Sequence, residues 1–229
     1  MRNIAVIPAR SGSKGLQDKN IRELAGKPLL VYSVEAALTS GIYDTVHVST
    51  DSEEYANIAR KAGAEVLFLR SKELASDTAT TWDAMRFVLN KYKEMNKVYD
   101  TLTVLQPTSP LRTSCDILNA HEFFKAKSAS FVSSVCEMEH SPLWCNTLPE
   151  DLSMADFENK TVAYLPRQAL PTYYRENGAI YIVDVRKLLS SEELYTEGAY
   201  AYIMEQNKSI DIDSEVDFRI AELLMKSSV

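Results

Sequence analysis

The chain has 229 residues, of which 45% are hydrophobic and 25% charged, and its formal net charge is -7 at pH 7. This length and composition fit a single α/β domain over residues 1–229 with a well-filled core. The acidic balance argues against a nucleic-acid partner. The first residues lack a signal peptide, and no run approaches the roughly 18 apolar residues that cross a bilayer, so we expect a cytoplasmic protein without membrane contact.

Strand-like and helix-like segments alternate along the first half of the chain, which is typical of βαβ units. The predicted strands are Asn3–Ile7, Thr45–Ser49, Glu65–Leu69, Thr101–Leu105 and Ala129–Val135. The predicted helices are Leu29–Thr39, Glu53–Ala62, Thr80–Lys93 and Thr113–Lys127. This order predicts an α/β fold with a doubly wound, Rossmann-like, mostly parallel sheet.

Residues 138–176 interrupt the alternation, with four prolines and no sustained period. The segment is too rich in Leu, Tyr and Trp144 to be a disordered linker. It either folds over the core or packs against a second subunit, and we interpret it as an inserted dimerisation lobe. The strand pattern resumes at Gly178–Val183 and again at Ala201–Met204.

A basic loop follows the first predicted strand, in the segment VIPARSGSKGLQDKNIREL from Val6 to Leu24. Its small residues let the backbone turn tightly and present N–H groups to an anion. Its positive charges are Arg10, Lys14, Lys19 and Arg22. Arginine and lysine together suit a polyphosphate, although a solvated basic turn would have the same composition. The loop contains neither a Walker A string nor Gly-x-Gly-x-x-Gly.

An Asp-x-Asp pair lies near the end of the chain, in Ser209–Asp213. In an extended segment Asp211 and Asp213 share a face, and two adjacent carboxylates with phosphate oxygens suit Mg²⁺. The alternative is an acidic approach to a helix N-terminus. Ser214 and Asp217 have the spacing of a capping box that opens a final helix.

Two further loops follow predicted strands and would reach the same edge of the sheet. One contains Gln106 and the other contains Arg70 and a hydroxyl-rich run. Each could also be a plain connection that caps the next helix. No histidine spacing indicates a metal site and no Gly-x-Ser-x-Gly elbow is present, so covalent catalysis has no candidate residue.

Several segments in this order resemble the acylneuraminate cytidylyltransferases, or CMP-sialic acid synthetases, a family that includes CMP-legionaminate synthetases. The resemblance runs from about Ile4 to the final helix. The segments are IPARSGSKGLQDKNIRELAGKPLL, LASDTA, LQPTSPLR, LPRQALP, RENGAIYI and SIDIDSEVDF. It implies a fold of the nucleotide-diphospho-sugar transferase type.

The resemblance also implies an activity. In that family CTP and a nine-carbon 2-keto sugar acid give a CMP-sugar and diphosphate, and Mg²⁺ is required. The 2-hydroxyl of the sugar attacks the α-phosphate, so the protein acts by positioning and electrostatics. On this basis we expect CTP and a sialic-type acid as substrates, Mg²⁺ as cofactor, and a homodimer with shared active sites.

Residue roles follow from the matched motifs. The resemblance implies nucleotide binding by Arg10, Ser13, Lys14, Lys19, Asn20, Arg70, Ala79 and Thr81; sugar binding by Gln106, Arg167, Asn177 and Tyr181; and metal binding by Asp211 and Asp213. Lys19, Asp211 and Arg10 would be catalytic, with Asp211 assisting deprotonation. Arg167 would reach the sugar carboxylate from the neighbouring subunit.

One position departs from the family pattern. Some members carry a lysine after the segment MEHSPL, where this chain has Trp144. An aromatic wall would suit a less polar sugar, so legionaminate is the first alternative to N-acylneuraminate, followed by pseudaminate and Kdo. Alternatives from other classes are a nucleotide-sugar-dependent glycosyltransferase and a catalytically silent nucleotide-binding module.

Overall fold

The computed structural model describes residues 1–12, 15–71, 73–75, 80–158, 160–162 and 164–227. The strands are β1 (Asn3–Pro8), β2 (Glu23–Leu24), β3 (Lys27–Pro28), β4 (Thr45–Ser49), β5 (Thr101–Val104), β6 (Phe131–Glu137), β7 (Tyr174–Asp184) and β8 (Ala199–Ile203). The helices are α1 (Leu29–Ser40), α2 (Glu53–Lys61), α3 (Thr81–Glu94), α4 (Ser114–Ala126), α5 (Val185–Ser190) and α6 (Glu215–Ser227).

Six strands form one sheet in the order β4-β1-β5-β7-β6-β8. Strand β1 is parallel to β4 and β5, β6 is parallel to β8, and β7 runs antiparallel to both of its neighbours. The predicted mostly parallel α/β fold is therefore confirmed. We call the edge where β1, β4, β5 and β6 end the carboxyl edge. Because β7 runs in the opposite direction, its first residues also lie at this edge.

The core has two main layers and a third cluster. Helices α1, α2 and α4 cover one face of the sheet, and α3 and α5 cover the other. In the third cluster, Leu24 and Leu29 from the β2–β3 hairpin and α1 pack against Ile212 and Phe218 from the last segment and α6. This cluster holds the two ends of the chain together.

The predicted strand Glu65–Leu69 is wrong. The chain makes a single bridge to β4, where the Glu65 amide donates to the Val46 carbonyl at 2.8 Å. Beyond it Val66 packs into the core on the α1, α2 and α4 side of the sheet and Phe68 packs on the α3 and α5 side. Residues two apart in a regular strand would share one face, so the segment cannot continue as a strand. The chain returns to the carboxyl edge at Arg70, whose amide donates to the Thr50 carbonyl at 2.7 Å.

The segment 138–176 is irregular, as expected, up to the start of β7 at Tyr174. Within the described residues it contains two short 3₁₀ turns, Pro142–Trp144 and Arg167–Ala169. Several large apolar side chains in it are exposed: Trp144, Leu148, Leu152, Met154, Tyr164 and Leu165. The predicted boundary at residue 176 thus lies inside a strand. Among the described helices, none is long and apolar enough to cross a membrane.

His47 on β4 is a buried titratable group in the core. Its Nδ1 lies 3.1 Å from the Tyr92 hydroxyl, and its ring packs 4.9 Å from that of Phe68. Its Nε2 is buried and has no hydrogen-bond partner among the described residues. Burial, assisted by the charge of Arg70, lowers the pKa of His47 to about 3. Burial also lowers the pKa of His121 to about 4.

These two histidines predict acid-sensitive folding. The unfolded state takes up protons below pH 6.5 while the folded state keeps both rings neutral, so stability falls as pH drops from 6.5 towards 4. Each histidine adds up to about 1.4 kcal/mol per pH unit to this slope. His47→Asn should reduce the slope measured by urea unfolding between pH 6 and 4.5, and adding His121→Asn should reduce it further. An unchanged slope in both variants would contradict the assignment.

Candidate active site at the carboxyl edge

The basic loop and the Asp-x-Asp segment meet in space. The Lys19 ammonium donates to the Ile212 carbonyl at 2.6 Å and to Asp213 Oδ1 at 2.9 Å. Lys19 lies in a 3₁₀ turn, Lys19–Ile21, directly before the β2–β3 hairpin that packs on α6. The two motifs singled out at opposite ends of the sequence therefore form one site.

Arg22 has a different role from the other basic residues. Its guanidinium forms a double hydrogen bond with Glu215, at 2.6 and 2.9 Å, and lies 4.3 Å from the ring of Phe218. Its charge therefore supports the docking of α6. The capping box predicted for this helix is confirmed, because the Ser214 amide donates to Asp217 Oδ2 and the Asp217 amide donates to Ser214 Oγ.

Asp211 is the partly buried carboxylate of the site. Its Oδ1 is buried without a hydrogen-bond partner among the described residues. Burial raises the pKa of Asp211; a hydrogen bond from Thr108 opposes the rise, repulsion by Asp213 adds to it, and Lys19 and Arg175 oppose it. The neighbouring Ile212 amide donates to the Thr108 carbonyl at 2.9 Å, which ties this segment to the loop after β5.

Two of the predicted nucleotide-binding residues are buried, and both donate hydrogen bonds to backbone carbonyl groups. Asn20 donates from Nδ2 to the Arg10 carbonyl at 3.0 Å and so braces the basic loop. Arg70 is 8% exposed and donates from Nη2 to the Ser49 carbonyl at 2.8 Å. Burial lowers the pKa of Arg70 to about 10, with Asp51 opposing the shift and Arg10 adding to it.

Thr81 is the first residue of α3, which begins with a capping box between Thr80 and Asp83. Ser13, Lys14 and Ala79 lie outside the described residues.

The predicted sugar residues divide between two faces of the sheet. Asn177 is fully buried: its Oδ1 accepts from Ser134 Oγ at 2.6 Å, and its Nδ2 donates to Ser209 Oγ at 2.9 Å. Tyr181 pairs with Ser133, whose side chain points to the other face. In a regular strand Asn177 and Tyr181, which are four positions apart, would share a face. A register shift between Ser133 and Val135 of the neighbouring strand places them on different faces.

Gln106 follows β5 and lies over Gly178 in the irregular part of β7. Gly178 has φ +69°, and a Cβ placed there would lie 2.5 Å from Gln106 Oε1. The glycine therefore provides both the left-handed turn and the space for the glutamine side chain. This contact brings Gln106 against the same strand that carries Asn177 and Tyr181.

Several polar residues of the site were missed by the sequence reasoning. On the Tyr181 face, Glu176 Oε1 accepts hydrogen bonds from Ser133 Oγ at 2.6 Å and from the Tyr195 hydroxyl. Beside the basic loop, Asp51 binds Ser11. The neighbours of Glu176 in RENGAIYI were a signal for it, whereas only the position of Asp51 after β4 marked that residue.

Arg167 lies in the lobe. It is exposed and lines a cleft of about 400 Å³ together with Glu137, Ser141 and Tyr173. Gln106 and Tyr181 are not among the residues that line this cleft.

The family model described as "Cytidylyltransferase" matches residues 4–226. The chain belongs to this cytidylyltransferase family. The predicted membership is thereby confirmed, and the protein is an enzyme that uses CTP.

Curated relatives support this placement. The chain is 37% identical to the CMP-N,N'-diacetyllegionaminic acid synthase of Legionella pneumophila, over 99% of this chain and 97% of that protein. It is 37% identical to the N-acylneuraminate cytidylyltransferase of Streptococcus agalactiae, over 95% of this chain and 52% of that longer protein. It is 33% identical to the pseudaminic acid cytidylyltransferase of Campylobacter jejuni, over 99% of this chain and 97% of that protein.

Solved structures share the fold. A CMP:2-keto-3-deoxy-manno-octonic acid synthetase complexed with CTP superposes with a TM-score of 0.74, at 16% identity and with full coverage of both chains. The 4-diphosphocytidyl-2C-methyl-D-erythritol synthase of Anaerococcus prevotii superposes with a TM-score of 0.65, at 14% identity and 98% coverage of both. The sheet described above is thus a known cytidylyltransferase architecture.

The contact between Gly178 and Gln106 predicts a selective loss of activity. Gly178→Ala would displace the glutamine and strain a left-handed backbone by about 1 to 2 kcal/mol. Gly26→Ala is the matched control, because Gly26 has φ +84° with nothing within 4 Å of its Cβ position. Both variants should lose similar stability in urea unfolding, and only Gly178→Ala should lose most of its cytidylyltransferase activity. Equal activities would argue against a role for Gln106.

Proposed function

We propose that this cytidylyltransferase activates a nonulosonic, sialic-type acid, converting CTP and the sugar acid into a CMP-sugar and diphosphate. We propose N-acylneuraminate as the sugar acid. Legionaminate is the first alternative, followed by pseudaminate and Kdo. The relatives described above are named for the first three of these acids.

The observation that carries the proposal is the meeting of the basic loop and the carboxylate pair through Lys19. The Lys19 ammonium lies against Ile212 and Asp213, next to the orphan oxygen of Asp211. A cation beside two carboxylates can hold phosphate groups on one side and a divalent ion on the other. This arrangement supports phosphoryl chemistry without an enzyme nucleophile.

The reaction makes one bond and breaks one bond. The 2-hydroxyl oxygen of the sugar bonds to the α-phosphorus, and the bond from that phosphorus to the bridging oxygen breaks, so that diphosphate leaves with the electron pair. We assign Asp211 to accept the hydroxyl proton, since burial raises its pKa and thus its strength as a base. Lys19 and Arg10 would stabilise the charge that develops on the phosphates.

The carboxylate pair fits Mg²⁺ as cofactor. The Oδ1 of Asp211 has no partner among the described residues, and Asp213 is close enough to raise the pKa of Asp211. Where the structure is described, no group of three or more His, Cys, Asp or Glu side chains could hold a metal, so the other ligands would be phosphate oxygens and water. Bound there, Mg²⁺ would neutralise charge on the triphosphate.

Residues on the Tyr181 face and in the lobe would choose the sugar. Tyr181 packs against Trp82 and Phe131 and lies beside the Glu176–Tyr195 pair, while Gln106 approaches from β5. Trp144 is 39% exposed in the lobe. Its aromatic surface supports a less polar substituent, which is why legionaminate remains the leading alternative.

A homodimer would complete the site. The lobe exposes several apolar side chains, a surface that monomers rarely leave open. The cleft that Arg167 lines in the lobe contains none of the other predicted sugar residues. A two-fold dimer would let each Arg167 reach the sugar carboxylate in the partner's site.

A coupled assay for diphosphate release tests the proposal directly. The purified protein with CTP and Mg²⁺ should release diphosphate with at least one of N-acetylneuraminate, legionaminate, pseudaminate and Kdo. Asp211→Asn should abolish turnover, because it removes both a metal ligand and the base, while CTP binding by calorimetry should weaken without vanishing. Turnover with none of these acids, or sugar transfer to an acceptor without CTP consumption, would refute the assignment.

The role proposed for Arg167 predicts that its loss affects the KM of the sugar acid and not the KM of CTP. Arg167→Ala should raise the KM of the sugar acid by about tenfold or more, since a carboxylate loses its charged partner, and leave the KM of CTP nearly unchanged. Arg186→Ala serves as a control for loss of an exposed arginine, because Arg186 pairs with Asp184 at the opposite edge of the sheet from the carboxyl edge. Equal effects on both substrates would contradict the role of Arg167.

A further inference from the structure

Asp51 fastens the first turn of the basic loop to the end of β4. Its Oδ1 accepts a hydrogen bond from the Ser11 amide at 2.8 Å, and its Oδ2 accepts one from Ser11 Oγ at 2.7 Å. Both carboxylate oxygens thus bind one residue, directly after Arg10. We propose that Asp51 is a positioning residue that sets the basic loop for the triphosphate of CTP, an inference that rests on the proposed function.

The backbone around Arg10 is held at three consecutive residues. The Ala9 amide donates to the Ser49 carbonyl at 2.9 Å, and the Arg10 carbonyl accepts from Asn20 at 3.0 Å. Ser11 then binds Asp51, and the chain turns at once through Gly12, which has φ +71°. Asp51 therefore holds the backbone at the point where the loop leaves β1, directly after Arg10.

A contribution to stability does not by itself explain why a negatively charged side chain, Asp51, lies beside this site. A carboxylate beside a triphosphate site weakens anion binding by repulsion, so its presence there needs a compensating function. Burial raises the pKa of Asp51, but the hydrogen bonds from Ser11 and the charge of Arg70 outweigh that effect and lower it. The ionised carboxylate also offsets the repulsion between Arg10 and Arg70. Both of its oxygens accept hydrogen bonds from Ser11.

The same two strands provide a matched control. At the other end of β4, Asp44 Oδ2 accepts a hydrogen bond from the Asn3 amide of β1 at 2.7 Å. This bond has the same chemistry and joins the same strands, but it lies at the opposite edge of the sheet from the basic loop. A role limited to stability would make the two aspartates equivalent.

The test compares Asp51→Ala, Asp51→Asn and Asp44→Ala in the full chain. We expect Asp51→Ala to raise the KM of CTP by about tenfold or more and to change the KM of the sugar acid by less than about twofold. Asp51→Asn should recover most of the CTP affinity, because its amide oxygen can accept from the Ser11 amide and its NH₂ can donate to Ser11 Oγ. Asp44→Ala should leave both KM values unchanged.

Two results would overturn the proposal. One is an Asp51→Ala enzyme with the same CTP KM as Asp44→Ala. The other is an Asp51→Asn enzyme as impaired as Asp51→Ala, since the carboxylate would then act by charge and not by holding Ser11. If Asp51→Ala does not fold, Ser11→Ala removes one of the two bonds from the loop side, and it should raise the CTP KM by a smaller factor in the same direction.

Hydrogen exchange separates this inference from the proposed function. The peptide that contains Ser11 should exchange faster in Asp51→Ala than in the unaltered protein and in Asp44→Ala, whatever the substrate of the enzyme. Failure of the unaltered protein to use any of the sugar acids would refute the proposed function alone. Unchanged exchange in Asp51→Ala would refute the positioning role alone.

Discussion

The packing of Leu24 and Leu29 against Ile212 and Phe218 is the contact on which the site depends. Burying such side chains contributes roughly 1.5 to 3 kcal/mol each, far more than an exposed ion pair. This packing carries the segment with Asp211 to the loop with Lys19, across most of the chain. The Lys19 bonds to Ile212 and Asp213 then use a proximity that the apolar cluster has already created.

Positively and negatively charged side chains lie next to one another along the carboxyl edge. Asp51 lies with Arg10 and Arg70, and Lys19 lies with Asp211 and Asp213. Each charge therefore has an opposite neighbour in the absence of ligand, which reduces the cost of assembling a polyphosphate site in a folded chain. The partial burial of Arg70 and Asp211 strengthens these interactions relative to those of exposed pairs.

Much of the fold could be predicted from the chain alone. The alternating apolar segments identified β1, β4, β5 and all four of the long helices of the first half, because period and capping chemistry are local properties. The failed strand at Glu65–Leu69 has the same local pattern, but Val66 and Phe68 pack on opposite faces of the sheet, which a regular strand does not allow. The opposite direction of β7 also depends on pairing between distant segments, which no local pattern records.

The site was predictable in its motifs and less so in its geometry. Lys19, Asp211 and Asp213 were singled out from the sequence, and the structure places them close together. The division of Asn177 and Tyr181 between two faces follows from the irregular register around Gly178, and a strand read with period two cannot show it. Asp51 was missed because a single aspartate after a strand has no distinctive spacing. Its contribution is visible in its hydrogen bonds with Ser11, which lies in the loop after a different strand.

The reversed course of β7 has a consequence for how such an enzyme can diversify. Since β6 ends and β7 begins at the same edge, the irregular segment between them leaves and rejoins the sheet at neighbouring points. Insertions, deletions and substitutions in that segment can accumulate without moving a strand or the loops after β1 and β5. The contacts that this segment makes with other molecules can therefore change while the loops after β1 and β5 keep their positions.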